Sequence, residues 1–174
     1  KDVVWRGSNY IWSKSLEFLK FVEAPVRAGE SFELATEILD EHAHNRFLAN
    51  RWEFADSRQT SIDWHQYRRY LQESKGEFTV AKDQYVRLKT GWFSDRSACY
   101  LAAGRPVITQ ETQFTKFYGG GKGLIAFETL EDIAEAVKSI NGDYAAHCKA
   151  AYEIAAEEFE ATKVIKSMLD RAGL

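Results

Sequence analysis

At 174 residues, with 45% hydrophobic and 14% aromatic side chains, the chain is long enough for one well-filled core and too short for two ordinary domains, which predicts a single domain over 1–174. A net charge of -3 with both signs interspersed excludes a polycationic face for non-specific nucleic-acid binding, so any anion must be met by local donors. Cys99 and Cys148 have no C-x-x-C spacing, which argues against a disulfide framework or a zinc site and predicts two small buried helix residues; no apolar run has the length of a membrane span, and KDVVWRGSNY lacks a signal-peptide core, so a reducing, cytoplasmic compartment is expected.

The chain opens without Met, in what reads as a strand or strand end, and is expected to be a piece whose upstream part is missing. From Ser13 to Glu23, Leu16, Phe18, Leu19 and Val22 recur at helical spacing, with Ser13 as N-cap and Pro25 just past the end. SFELATEIL is an apolar, β-capable run; Asp40 to Asn50 reads as helix and WEFAD as a short strand. DWHQYRRYLQES, Asp63 to Ser74, returns to helical spacing, and GEFTVAK is a strand opened by Gly76. A loop, YVRLKTGWF, leads into the helix SDRSACYLAAG, which Ser94 caps and Gly104 stops. RPVITQ and GLIAF are strands, and Thr129 to Leu174 is helical in two or three pieces broken near Asn141-Gly142 and Thr162. Strand alternating with helix predicts an α/β fold: a Rossmann-like, mainly parallel sheet with helices on both faces and a helical C-terminal tail.

In such a fold ligands sit at the C-terminal ends of strands, and helix starts receive anions through free N–H groups and the helix dipole. Two helix starts qualify. One carries Ser13 and Lys14; the other carries Ser94, Asp95, Arg96 and Ser97, shortly after Arg87 and Lys89. Together they offer the donors and positive charges that a diphosphate needs in place of water.

GEFTVAKDQYVRLKTGWFSDRSACYLAAGRPVITQET is similar to the core of the C-terminal, donor-binding domain of bacterial GT-B glycosyltransferases, and WSKSLEFLKF and GKGLIAFETLEDIAEAVKSI fit the flanking pieces of the same group. The likeness runs from about Tyr10 to the end, and its most general part is the helix ending A-A-G-x-P-V-I with a strand after it, which recurs through GT-B enzymes at the donor site. It implies one half of a GT-B fold that binds a nucleotide-diphosphate sugar, with no cofactor and no obligatory metal, and whose partner is a missing N-terminal acceptor domain. By the same resemblance Lys14 neutralises donor phosphate, Ser94, Asp95, Arg96 and Ser97 form the phosphate-facing helix start, and Glu111 lies against the donor sugar's hydroxyls, with Gln110 and Thr112 as its neighbours in the donor site. Asp95 would repel phosphate and is better suited to cap the helix or hold Arg96. The glutamate pair of the best-known retaining enzymes is absent, since Gly91 and Cys99 stand at those positions, so retention or inversion stays open. No catalytic residue is assigned, because an inverting base would come from the other domain. A non-catalytic nucleotide-sugar-binding or regulatory module, and half of a GT-B-type sugar-nucleotide epimerase, are the alternative readings.

Other features have structural explanations. Gly119 to Gly123, GGGKG, lacks the Ser or Thr and the earlier Gly of a Walker A and reads as a mobile connection. His42 and His44 belong to a solvated helix start, and His65 and His147 decorate helices. Glu157, Glu158 and Glu160 form a charged helix surface rather than a hydrolase carboxylate pair.

Overall fold

The computed structural model describes residues 2–37 and 40–173. Ile38 and Leu39, which close the SFELATEIL run, lie outside the described residues, as do Lys1 and Leu174. The order is β1 (Val3–Trp5), β2 (Ser8–Tyr10), α1 (Ser15–Lys20), α2 (Ala24–Ala28), β3 (Phe32–Thr36), α3 (Glu41–Ala49), β4 (Trp52–Asp56), α4 (Ser57–Thr60) and α5 (Trp64–Glu73). Then follow β5 (Glu77–Thr79), α6 (Asp83–Arg87), α7 (Asp95–Ala102), β6 (Val107–Gln110), α8 (Thr115–Tyr118), β7 (Leu124–Phe127), α9 (Leu130–Gly142), α10 (Tyr144–Glu158) and α11 (Ala161–Ala172).

The chain is an α/β protein with small parallel sheets. β5, β6 and β7 form one sheet in that order, β3 and β4 pair parallel with Phe32 opposite Trp52, and β1 and β2 form an antiparallel hairpin. The hairpin was not foreseen. It turns through Arg6 and Gly7, both at positive φ, the backbone that a two-residue hairpin loop requires.

Local chemistry explains most helix starts. Asp40, Asp63 and Asp143 each accept a backbone N–H three residues on, and Thr129 and Asp132 form a reciprocal capping box at α9. Two expectations are corrected near the N-terminus. The residue capping α1 is Lys14, not Ser13, whose Oγ instead accepts the Ser15 N–H at 3.2 Å. The helix ends at Lys20 rather than Glu23, and Pro25, past its end as expected, sits in the first turn of a second one, α2, where its missing N–H costs nothing.

An aromatic and aliphatic core joins the two parallel sheets. Phe32, Phe47, Trp52, Ile108, Phe127 and Ile133 are buried there, and the Trp52 indole donates to the Val22 carbonyl at 2.7 Å. A second cluster around Leu101, Phe114, Leu124 and Ala151 packs α7 and α10 on the opposite face of β6 and β7. Cys99 is exposed and Cys148 half-buried, contrary to expectation, because α7 turns Ser97, Tyr100 and Leu101 inward instead. His147 does not decorate a surface. It is buried, its Nδ1 accepts the Gly123 N–H at 3.2 Å and its Nε2 lies 3.1 Å from Ser139 Oγ. Burial, with Lys122 nearby, holds its pKa below the ordinary value. The glycine-rich connection is therefore pinned at its end, and α10 passes so close that only Gly fits at 123.

Candidate functional site

Strand alternation turns Glu77 and Thr79 of β5 to one side and Phe78 to the other, into the aromatic core. On the Glu77–Thr79 side α7 brings in Arg96. Its Nε donates to Glu77 Oε1 at 2.6 Å and its Nη2 to Thr79 Oγ1 at 2.9 Å. Lys14, at the start of α1, donates to the same Thr79 oxygen at 3.4 Å, and its ammonium lies 4.9 Å from the Trp92 ring centre. Two cations from helix starts 82 residues apart thus meet over one hydroxyl at the C-terminal end of a parallel strand.

The electrostatics of the pair differ. Burial, then the neighbouring Arg96 charge, bring Lys14 down to about 8, with Glu77 opposing them in part. Burial also disfavours the Arg96 charge, but the Glu77 carboxylate beside it outweighs that and its pKa is raised. Glu77 is buried whereas the Arg96 side chain is 45% exposed, so the guanidinium can be reached from solvent while its counter-charge cannot. Glu77 Oε2 is buried with no hydrogen-bond partner among the described residues.

The position of α1 is set from below. Gln110, at the end of β6, accepts the Ala81 N–H at 3.0 Å and donates to the buried Glu17 of α1 at 3.0 Å. Glu17 in turn pairs with Lys20 at 2.5 Å. Gln110 is therefore committed to holding α1 against the strand ends, not to facing a ligand.

The remaining predicted residues divide. Ser13 is exposed next to Lys14. Ser94 stands at the N-cap of α7 but is buried and makes no side-chain capping bond; Asp95, exposed, accepts the backbone N–H of Arg96 at 2.9 Å, while the Arg96 guanidinium turns to Glu77 and Thr79. Ser97 is buried, its hydroxyl without a partner among the described residues. Arg87 points elsewhere: it donates to the Asn9 carbonyl at 2.7 Å and to Asp83 at 3.1 Å and covers the Tyr10 ring, which fastens the hairpin to α6. Thr112 is buried and donates to the Trp92 carbonyl at 2.6 Å, and Glu111 accepts the Gln113 N–H, so both shape the loop after β6.

Glu77, Thr79 and Glu17 were missed as site residues. The signal for the first two was present in GEFT, where a charged and a hydroxyl residue alternate with Phe on a short strand, but only the packed fold shows what they face. Among the described residues no group of three His, Cys, Asp or Glu side chains could hold a metal ion, and no helix is long and apolar enough to cross a membrane. No protein-family model, curated protein or solved structure matches this chain.

Proposed function

We propose that the chain is the donor-binding half of a GT-B glycosyltransferase, receiving the diphosphate of a nucleotide sugar between Lys14 and Arg96 at the start of α7. The observation that carries this reading is the meeting of those two cations over Thr79 at a strand C-terminus, where an α/β fold presents its ligand groups. The resemblance of the TGWFSDRSACYLAAGRPVI segment to the donor helix of that group supports it. As the bond to the sugar breaks, negative charge grows on the leaving diphosphate, and preorganised cations with helix N–H groups stabilise it without moving. The acceptor and any general base belong to a second domain.

The test is calorimetric titration with nucleoside diphosphates. Arg96→Ala should weaken binding roughly ten- to a hundredfold through loss of a charge-assisted hydrogen bond worth about 1.5–3 kcal/mol, and Lys122→Ala should leave it unchanged. Because Arg96→Ala strands the buried Glu77, Arg96→Ala/Glu77→Gln serves as the folded comparison. Unchanged affinity in a folded Arg96 variant would move the anion site elsewhere.

A further inference from the structure

A third cation stands at the same strand end as Lys14 and Arg96. Lys82 follows Thr79 after the wholly buried Val80 and Ala81, and its own backbone is still extended. Its ammonium rests 3.3 Å from the centre of the Trp12 ring and 5.9 Å from that of Tyr85. Tyr85 stacks on Trp92, with ring centres 5.1 Å apart and planes within 11° of parallel, and the Lys14 ammonium lies over that same Trp92. Trp12 in turn stands just ahead of Ser13 and Lys14 in the chain. Lys82 and Lys14 are thus tied together twice, through the Trp92–Tyr85 stack and through the chain from Trp12. The Lys82 charge is among those that bring the Lys14 pKa down.

Ring faces attract an ammonium but leave its charge in place. No ion pair among the described residues includes Lys82 or Lys14. The carboxylates of this region are already engaged. Glu77 is taken by Arg96, Asp83 by the Ile11 N–H and Arg87, and Asp95 by the backbone N–H of Arg96. Arg96 is therefore balanced by the buried Glu77, whereas Lys14 and Lys82 bring two positive charges together with no carboxylate paired to either. Like charges gathered in this way disfavour each other, and an anionic ligand relieves that cost. Position separates their roles. Lys14 and Arg96 converge on the Thr79 hydroxyl, while Lys82 makes no bond to it and faces the next ring along the stack. One phosphate can meet the first two cations, and a second phosphate linked to it brings its own charge to the third.

We propose that Lys82 is a third cation of the anion site and binds the second of two linked phosphates, so that the site selects a diphosphate over a single phosphate. The proposal rests on the reading of Lys14 and Arg96 as phosphate ligands and adds what sets the length and charge of the anion. A diphosphate esterified at both ends keeps one negative charge on each phosphate, which matches the two ammonium groups left without a carboxylate.

Calorimetric titration of the chain near pH 7, where Lys14 is charged, with inorganic pyrophosphate and with inorganic phosphate tests this. Lys82→Met removes the charge and keeps a flexible side chain that can pack on Trp12. It is expected to weaken pyrophosphate binding roughly tenfold or more and phosphate binding by less than about twofold, the loss of one charge-assisted contact. Lys82→Gln should do the same, and Lys82→Arg should restore pyrophosphate binding to within about threefold of the parent, with thermal melts to show that each variant is folded. Equal losses for the two anions, or no loss for pyrophosphate, would overturn the role of Lys82 while leaving the Lys14–Arg96 site in place. A parent that binds neither anion, or an Arg96→Ala/Glu77→Gln variant that binds pyrophosphate as the parent does, would show that the underlying site is wrong, and the role of Lys82 would fall with it.

Discussion

Lys14 is held near the pH at which many assays are run, and that makes it testable as a single residue. Its pKa of about 8, against an ordinary value of 10.5, means that the folded chain binds fewer protons than the unfolded one between those values. Stability contributed by this group therefore rises as pH climbs from about 8 towards 10.5, as the unfavourable buried charge is lost. Anion affinity should move the opposite way. Nucleoside diphosphate binding is expected to weaken as pH passes through about 8, and Lys14→Met should remove that step while leaving binding above pH 9 close to that of the parent. An affinity flat from pH 7 to 9.5 in the parent would show that Lys14 does not meet the anion. Lys14 and Arg96 could be singled out from helix starts alone, because capping patterns are local. Glu77 and Thr79 could not, because their importance comes from an arginine 19 and 17 residues further along the chain. Arg87 shows the converse: its place before the helix suggested phosphate, while tertiary contacts with Asn9, Asp83 and Tyr10 use its charge to anchor the hairpin.

At the scale of elements, the connection between β6 and β7 depends on one close approach. A Cβ at Gly123 would lie 2.4 Å from the Ala151 nitrogen and 2.7 Å from the Ala150 carbonyl carbon, both backbone atoms of α10, and the residue has φ +85°. Gly123→Ala is expected to destabilise the fold by about 2–4 kcal/mol, measured by urea unfolding, since backbone strain and overpacking act together. Gly121, with no neighbour within 4 Å at its Cβ position, has only its φ of +133° to lose, so Gly121→Ala should cost less than Gly123→Ala. Equal losses at the two positions would mean that packing against α10 is not what selects glycine. GGGKG is legible in the sequence as a glycine-rich connection and as nothing more, because the neighbour that demands Gly123 lies 28 residues away. Helix starts were more legible. Asp40, Asp63, Thr129 and Asp143 carry their caps within three residues, whereas the short helix that Pro25 opens was missed because proline both ends and begins helices.

For the molecule as a whole, the proposed function predicts a chain that binds but does not turn over. Incubated alone with nucleotide sugars and candidate acceptors, it should transfer no sugar, although nucleoside diphosphates should still shift its NMR amide signals around Lys14 and Arg96. Robust transfer by this chain alone would overturn the half-enzyme reading. Composition and periodicity were sufficient for the α/β class, for the parallel β5, β6 and β7, and for the longer helices, because these follow from side-chain spacing within one segment, whereas the short α2, α4, α6 and α8 were not read. They were also sufficient to bring Lys14 and Arg96 forward as candidates. Only the tertiary structure decided that the two cations meet at Thr79, that Gln110 is spent on Glu17 and Ala81, and that Val3 to Trp5 pair with Ser8 to Tyr10. Those outcomes rest on which strands lie side by side, and strand neighbours are chosen by contacts between residues tens of positions apart, which no local pattern encodes.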